Sequence, residues 1–104
     1  KDFGFSKVFG PSSAQGDVYQ VTTRPLVDDV FTAGANALLF AYGMTNAGKT
    51  YTVLGEEGSK GGLIPQSLKD IFERVDTLDE VVEERPRVVM SFLEIYNENV
   101  YDLL

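Results

Sequence analysis

Gly43-Met44-Thr45-Asn46-Ala47-Gly48-Lys49-Thr50 is the stretch on which the fold turns. It meets the pattern G-x-x-x-x-G-K-[ST] at every fixed position. The spacing has a physical basis. Gly43 lets the chain turn off a preceding strand, and Gly48 lets the backbone approach phosphate oxygens without a Cβ in the way. The amides from about Asn46 to Thr50 then form an anion nest at a helix N-terminus, where the helix dipole adds favourable field. Lys49 brings a compact positive charge to the β and γ phosphates, and the Thr50 hydroxyl suits Mg²⁺.

The flanks supply the setting that such a loop requires. Upstream, Ala35 to Tyr42 carries the apolar run Ala37-Leu38-Leu39-Phe40-Ala41 without alternation. That pattern predicts a strand buried on both faces, as in a parallel sheet covered by helices. Downstream, Gly48 to Leu54 reads as a helix. Gly55 to Gly62 reads as a glycine-rich surface loop that interrupts it, and Ile64-Pro65 opens a second segment to about Val75. Leu68, Ile71, Phe72 and Val75 form its apolar stripe.

Further out, Phe3 to Phe9 reads as a strand. Ser12 or Ser13 would cap a helix from about Ala14 to Thr32, with Pro25 bending it or ending its first half and Gly34 stopping it. Its expected buried set is Val18, Val21, Leu26, Val30 and Phe31. Asp76 to Arg85 is an acidic, solvated connection. Arg87 to Tyr96 alternates as a strand, Asn97-Glu98-Asn99 breaks it, and Val100 to Leu104 begins another element. The order of strands and helices gives an α/β class.

Composition sets the outer bounds. The chain has 104 residues, 43% hydrophobic and 12% aromatic, which fits a globular chain. It has neither cysteine nor histidine, so disulfides, thiolate or imidazole metal sites and Cys- or His-based triads are excluded. The formal net charge of −7 argues against sequence-independent nucleic-acid binding. No apolar run is long enough for a membrane span.

The loop alone does not name the enzyme, because many nucleotide hydrolases and kinases share it. Its neighbours do more. Phe40-Ala41-Tyr42 through Thr50-Tyr51-Thr52 closely resembles the phosphate-loop signature of kinesins. Phe3-Gly4-Phe5-Ser6-Lys7-Val8-Phe9, Val18-Tyr19 through Pro25-Leu26-Val27, and Gly62-Leu63-Ile64-Pro65 with Ile71-Phe72 resemble the family in the right order. Ser91-Phe92-Leu93-Glu94-Ile95-Tyr96-Asn97-Glu98 with Tyr101-Asp102-Leu103-Leu104 is similar to a stretch specific to kinesins.

The resemblance implies ATP hydrolysis coupled to microtubule-based movement, in the cytoplasm and on the microtubule cytoskeleton. It implies a P-loop nucleotide-hydrolase fold, with residues 1–104 forming part of a mixed β-sheet flanked by helices, in the N-terminal-central portion of a motor domain. By the same resemblance Gly43, Met44, Thr45, Asn46, Ala47, Gly48, Lys49 and Thr50 bind ATP phosphates, and Thr50 binds Mg²⁺. Tyr51 stands where the family places an aromatic or histidine side chain against adenine, a role that its π face suits, with core packing as the alternative. Met44, Asn46 and Ala47 depart from the usual glutamine, glycine or serine, and serine, none at a fixed position. Ser6 replaces a usual aspartate. No D-x-x-G occurs, so the switch residues that hold the catalytic water are expected outside this chain. Two alternatives stand beside the motor. One is a small P-loop kinase, which would need basic phosphate clamps. The other is a non-catalytic kinesin-like binding module, against which the intact Lys49 and Thr50 argue.

Overall fold

Proline has no amide hydrogen to give to a helix interior, and Pro25 shapes the first feature of the computed structural model, which describes residues 1–56, 61–78 and 86–104. Of the two outcomes expected at Pro25, a bend or an end to the first half of the helix, the second is present: there are two helices, α1 (Gln15–Thr22) and α2 (Arg24–Ala33). They part at Thr23, which closes α1 and opens α2, and Pro25 falls in the first turn of α2, where no amide is needed. Gly34 ends α2 in the left-handed region at φ 61°. The serines do not cap α1. Asp17 reaches back instead, its Oδ2 accepting the Ala14 amide at 2.9 Å.

Splitting the helix also changes its buried face. Tyr19, Thr23 and Val27, four residues apart, are buried, whereas Val21 and Val30 are exposed and Val18, Leu26 and Phe31 are half-buried. The seam faces α4 (Leu63–Leu78), which starts one residue before the expected Ile64 and runs three past Val75. On α4, Val75 is buried, Leu68 and Ile71 are half-buried and Phe72 is exposed. The Tyr19 hydroxyl donates to Asp70 Oδ2 at 2.8 Å, and Arg74 Nε donates to Asp70 Oδ1 at 3.0 Å. Arg74 also forms an ion pair with Asp28 of α2 and lies 5.4 Å from the centre of the Phe31 ring. Three helices are thereby tied by one arginine and two carboxylates.

Between these, α3 (Lys49–Leu54) is a six-residue helix. It stops at Gly55, φ 83°, and the Gly62 amide donates back to the Leu54 carbonyl at 3.0 Å. The two glycines meet backbone to backbone. A Cβ on Gly55 would lie 2.4 Å from the Gly62 nitrogen, and one on Gly62 would lie 2.5 Å from the Thr52 carbonyl oxygen. The expected interruption of the helix is present, for a packing reason in addition to glycine's low propensity. Residues 57–60 of the expected loop and 79–85 of the acidic connection lie outside the described residues.

Strands are where expectation and structure differ most. Neither Phe3–Phe9 nor Ala35–Tyr42 forms a strand. A strand exists only through hydrogen bonds to a neighbour, and among the described residues neither segment has one. The run expected to be buried is open: Leu38 is 81%, Phe40 77% and Tyr42 95% exposed. The one sheet among the described residues is a hairpin, β1 (Leu93–Tyr96) and β2 (Asn99–Asp102), paired antiparallel with Leu93 opposite Asp102 and Tyr96 opposite Asn99. The expected strand from Arg87 is thus paired over its last four residues only. Asn97 and Glu98, at φ 47° and 62°, make a two-residue turn with both centres left-handed. The segment from Val100, read only as the start of an element, belongs to the return strand. The described residues group into two compact units, Lys1–Arg74 and Val75–Leu104, the hairpin belonging to the second.

Candidate functional site

The Gly43–Thr50 loop closes as a turn and then enters α3. The Ala47 amide donates to the Met44 carbonyl at 3.2 Å, and the chain reverses through left-handed backbone at Asn46 (φ 63°) and Gly48 (φ 90°). Gly48 caps α3. A methyl added there would meet nothing within 4 Å, so the demand for glycine comes from its backbone angle. Gly43, expected to make the sharp turn, has no left-handed angle, and a Cβ on it would sit in ordinary contact, 3.4 Å from Ala47 Cβ. The turn is made three and five residues later instead.

Lys49 Nζ donates to the carbonyls of Gly43 and Met44, both at 2.8 Å, which draws the ammonium across the loop. The first amides of any helix lack intrahelical acceptors. Among the described residues those of Gly48, Lys49, Thr50 and Tyr51 have no hydrogen-bond acceptor. Asn46, Gly48, Lys49, Thr50 and Tyr51 line a cavity of about 270 Å³. Free amides, one ammonium and one hydroxyl at a helix start make an environment fitted to an anion of several oxygens. Thr50 is exposed, and Tyr51 is half exposed.

The larger cavity beside it, about 560 Å³, is lined by Leu39 to Tyr42, Ala47, Lys49 and apolar residues of α1, α3 and α4. One contact that sequence reading missed is the Gln15 side chain, whose Nε2 donates to the Tyr51 carbonyl at 2.5 Å. No local pattern announces a bond between residues 36 positions apart.

Residues 1–104 match the sequence profile of the family described as kinesin motor domain. The chain belongs to the kinesin motor domain family. It is 43% identical over 103 residues to Kinesin-like protein KIP2 of Eremothecium gossypii, a match covering 99% of this chain and 15% of that protein. Kinesin-like protein KIF18B of Mus musculus is 42% identical over 102 residues, covering 98% and 12%. Kinesin-like protein 5 of Schizosaccharomyces pombe is 45% identical over 103 residues, covering 98% and 11%. This kinesin chain therefore spans between 11% and 15% of the length of these three relatives. No helix among its described residues is long and apolar enough to cross a membrane.

Proposed function

We propose that the complete protein is an ATP-hydrolysing motor acting on microtubules, with residues 1–104 supplying the phosphate-gripping part of a P-loop nucleotide-hydrolase fold. The observation that carries this is the start of α3: four acceptor-free amides, the Lys49 ammonium and the Thr50 hydroxyl gathered at one turn. Kinesin family membership adds the motor and its microtubule track, in the cytoplasm and on the cytoskeleton. Nucleic acid has no part in it.

Gly43 to Thr50 wrap the phosphates. The left-handed backbone at Asn46 and Gly48 aims successive amides inward. Lys49 exchanges its bonds to the Gly43 and Met44 carbonyls for phosphate oxygens, a charge-assisted replacement of neutral acceptors. Thr50 holds Mg²⁺, which when bound neutralises charge on the β and γ phosphates. Tyr51 offers its ring to the adenine. The groups that place the catalytic water lie beyond residues 1–104. The exposed Leu38, Phe40 and Tyr42 fit a strand that becomes buried in a mixed sheet flanked by helices.

Lys49→Ala in the complete protein tests this. Loss of a charge-assisted contact costs about 1.5–3 kcal/mol, roughly ten- to a hundredfold in ATP affinity. Microtubule-stimulated phosphate release should fall with it. Unchanged affinity and turnover would reject the assignment.

A further inference from the structure

Gln15 stands at the first position of α1, half-buried. Its Nε2 donates to the Tyr51 carbonyl at 2.5 Å, and the same oxygen accepts the Gly55 amide at 2.9 Å. The receiving helix is short. With six residues α3 is marginal by itself, and its last carbonyls run out of intrahelical donors at Gly55. Gln15 supplies a donor from outside, on the residue that lines the 270 Å³ cavity beside Lys49 and Thr50.

Gln15 is itself held. Gln66, in the first turn of α4, brings its Nε2 within 3.4 Å of the Gln15 carbonyl, 3.1 Å of the Gly61 carbonyl and 3.4 Å of the Gly62 carbonyl. Gly62 in turn donates to Leu54 at the end of α3. The Tyr51 backbone is therefore fixed from two directions, by α1 through Gln15 and by the Gly55–Gly62 junction.

We infer that Gln15 is a positioning residue for the base end of the nucleotide, its side-chain amide holding the Tyr51 carbonyl and so setting where the Tyr51 ring meets the base. This rests on the nucleotide assignment made above for residues 43–51. The phosphates meet amides, Lys49 and Thr50, whereas Gln15 bonds the Tyr51 carbonyl, which lies on the peptide after the Tyr51 amide. Gln15 should therefore matter for a ligand with a base and not for a bare polyphosphate.

The test uses the complete protein and two ligands, ATP and inorganic tripolyphosphate. Gln15→Leu is expected to weaken ATP roughly threefold to tenfold, the range for one lost hydrogen bond, and to leave tripolyphosphate as in wild type. Gln15→Glu keeps the size but removes the donor, and should reproduce the loss. In a Tyr51→Ala background, Gln15→Leu should add nothing further. A uniform loss on both ligands, wild-type ATP binding in Gln15→Glu, or an effect that persists without the Tyr51 ring would each overturn the positioning role. Lys49→Ala separates the two levels. If it weakens both ligands while Gln15→Leu weakens neither, only the role of Gln15 fails; if it weakens neither ligand, the nucleotide assignment fails with it.

Discussion

The Tyr19 hydroxyl donates to Asp70 Oδ2 at 2.8 Å, joining α1 to α4 across 51 residues of sequence. The bond couples two titrations. Burial, then the hydrogen bond to Asp70 and its negative charge, push the Tyr19 phenol up to about 12. Burial alone would raise the Asp70 carboxyl, but the hydrogen bonds from Arg74 and Tyr19 outweigh it and hold the group below its ordinary range. Arg74 is driven the other way, to firmer protonation, by its bonds to Asp70 and Asp28.

Stability should respond at both ends of the pH scale. A raised phenol contributes fully below the unfolded value near 10 and is lost as pH climbs from there towards about 12, a span worth about 2–3 kcal/mol. A depressed carboxyl contributes above its unfolded value and is lost as pH falls below about 4. Denaturant melts of the complete protein and of Tyr19→Phe at several alkaline pH values check the first arm. Tyr19→Phe should flatten the alkaline loss, and an identical slope in both proteins would count against the coupling.

Gly62→Ala should be among the most damaging small substitutions in the chain. Its methyl would meet the Thr52 oxygen at 2.5 Å and the Gly55 nitrogen at 2.6 Å, both backbone atoms that cannot swing aside. A loss of about 2 kcal/mol or more is expected. Gly10→Ala, with open space around it, is the control. Equal melting temperatures for the two variants would contradict the close approach.

Within the phosphate loop the two motif glycines should differ. Gly48→Ala forces a side chain into left-handed backbone, at about 1–2 kcal/mol. Gly43→Ala places its methyl in ordinary contact and should cost less in stability than Gly48→Ala. Thermal unfolding of the two variants without nucleotide reads the difference, and the reverse order would show the turn to be elsewhere.

Glu98→Gly should stabilise the hairpin. Glu98 sits at φ 62° in a turn that favours Asn-Gly, and Asn97 is already in place. The gain should be about 1 kcal/mol, read as a higher melting temperature of the complete protein. A lower one would mean that the Glu98 side chain makes a contact worth more than the strain.

Residues 1–104 on their own should neither release phosphate at a motor-like rate nor co-sediment with microtubules. The buried apolar residues among those described are few, Tyr19, Val27, Leu63 and Val75, while Leu38, Phe40 and Tyr42 are open. Phosphoryl transfer also needs groups that position the attacking water, which the loop does not contain. Microtubule-stimulated turnover by this piece would show that those groups are present after all.

By itself the sequence determined what acts within a few residues of chain. The turn and helix start at Gly43–Thr50 are legible because Gly48 acts on its own backbone, in left-handed geometry at the cap of α3. The ends of α2 and α3 are legible because Pro25, Gly34 and Gly55 act on their own backbone. Only the tertiary structure decided which faces are buried and which distant groups meet. The seam is Tyr19, Thr23 and Val27 because α1 and α2 are separate helices set against α4, and helical period alone does not say what lies opposite. Asp70, Arg74 and Asp28 converge across 46 residues of chain, and Gln15 reaches Tyr51 across 36, pairings that no local pattern carries. Ala35 to Tyr42 reads as a buried strand yet pairs with nothing among the described residues, because a strand is a relation between two segments and the apolar run supplies only one of them.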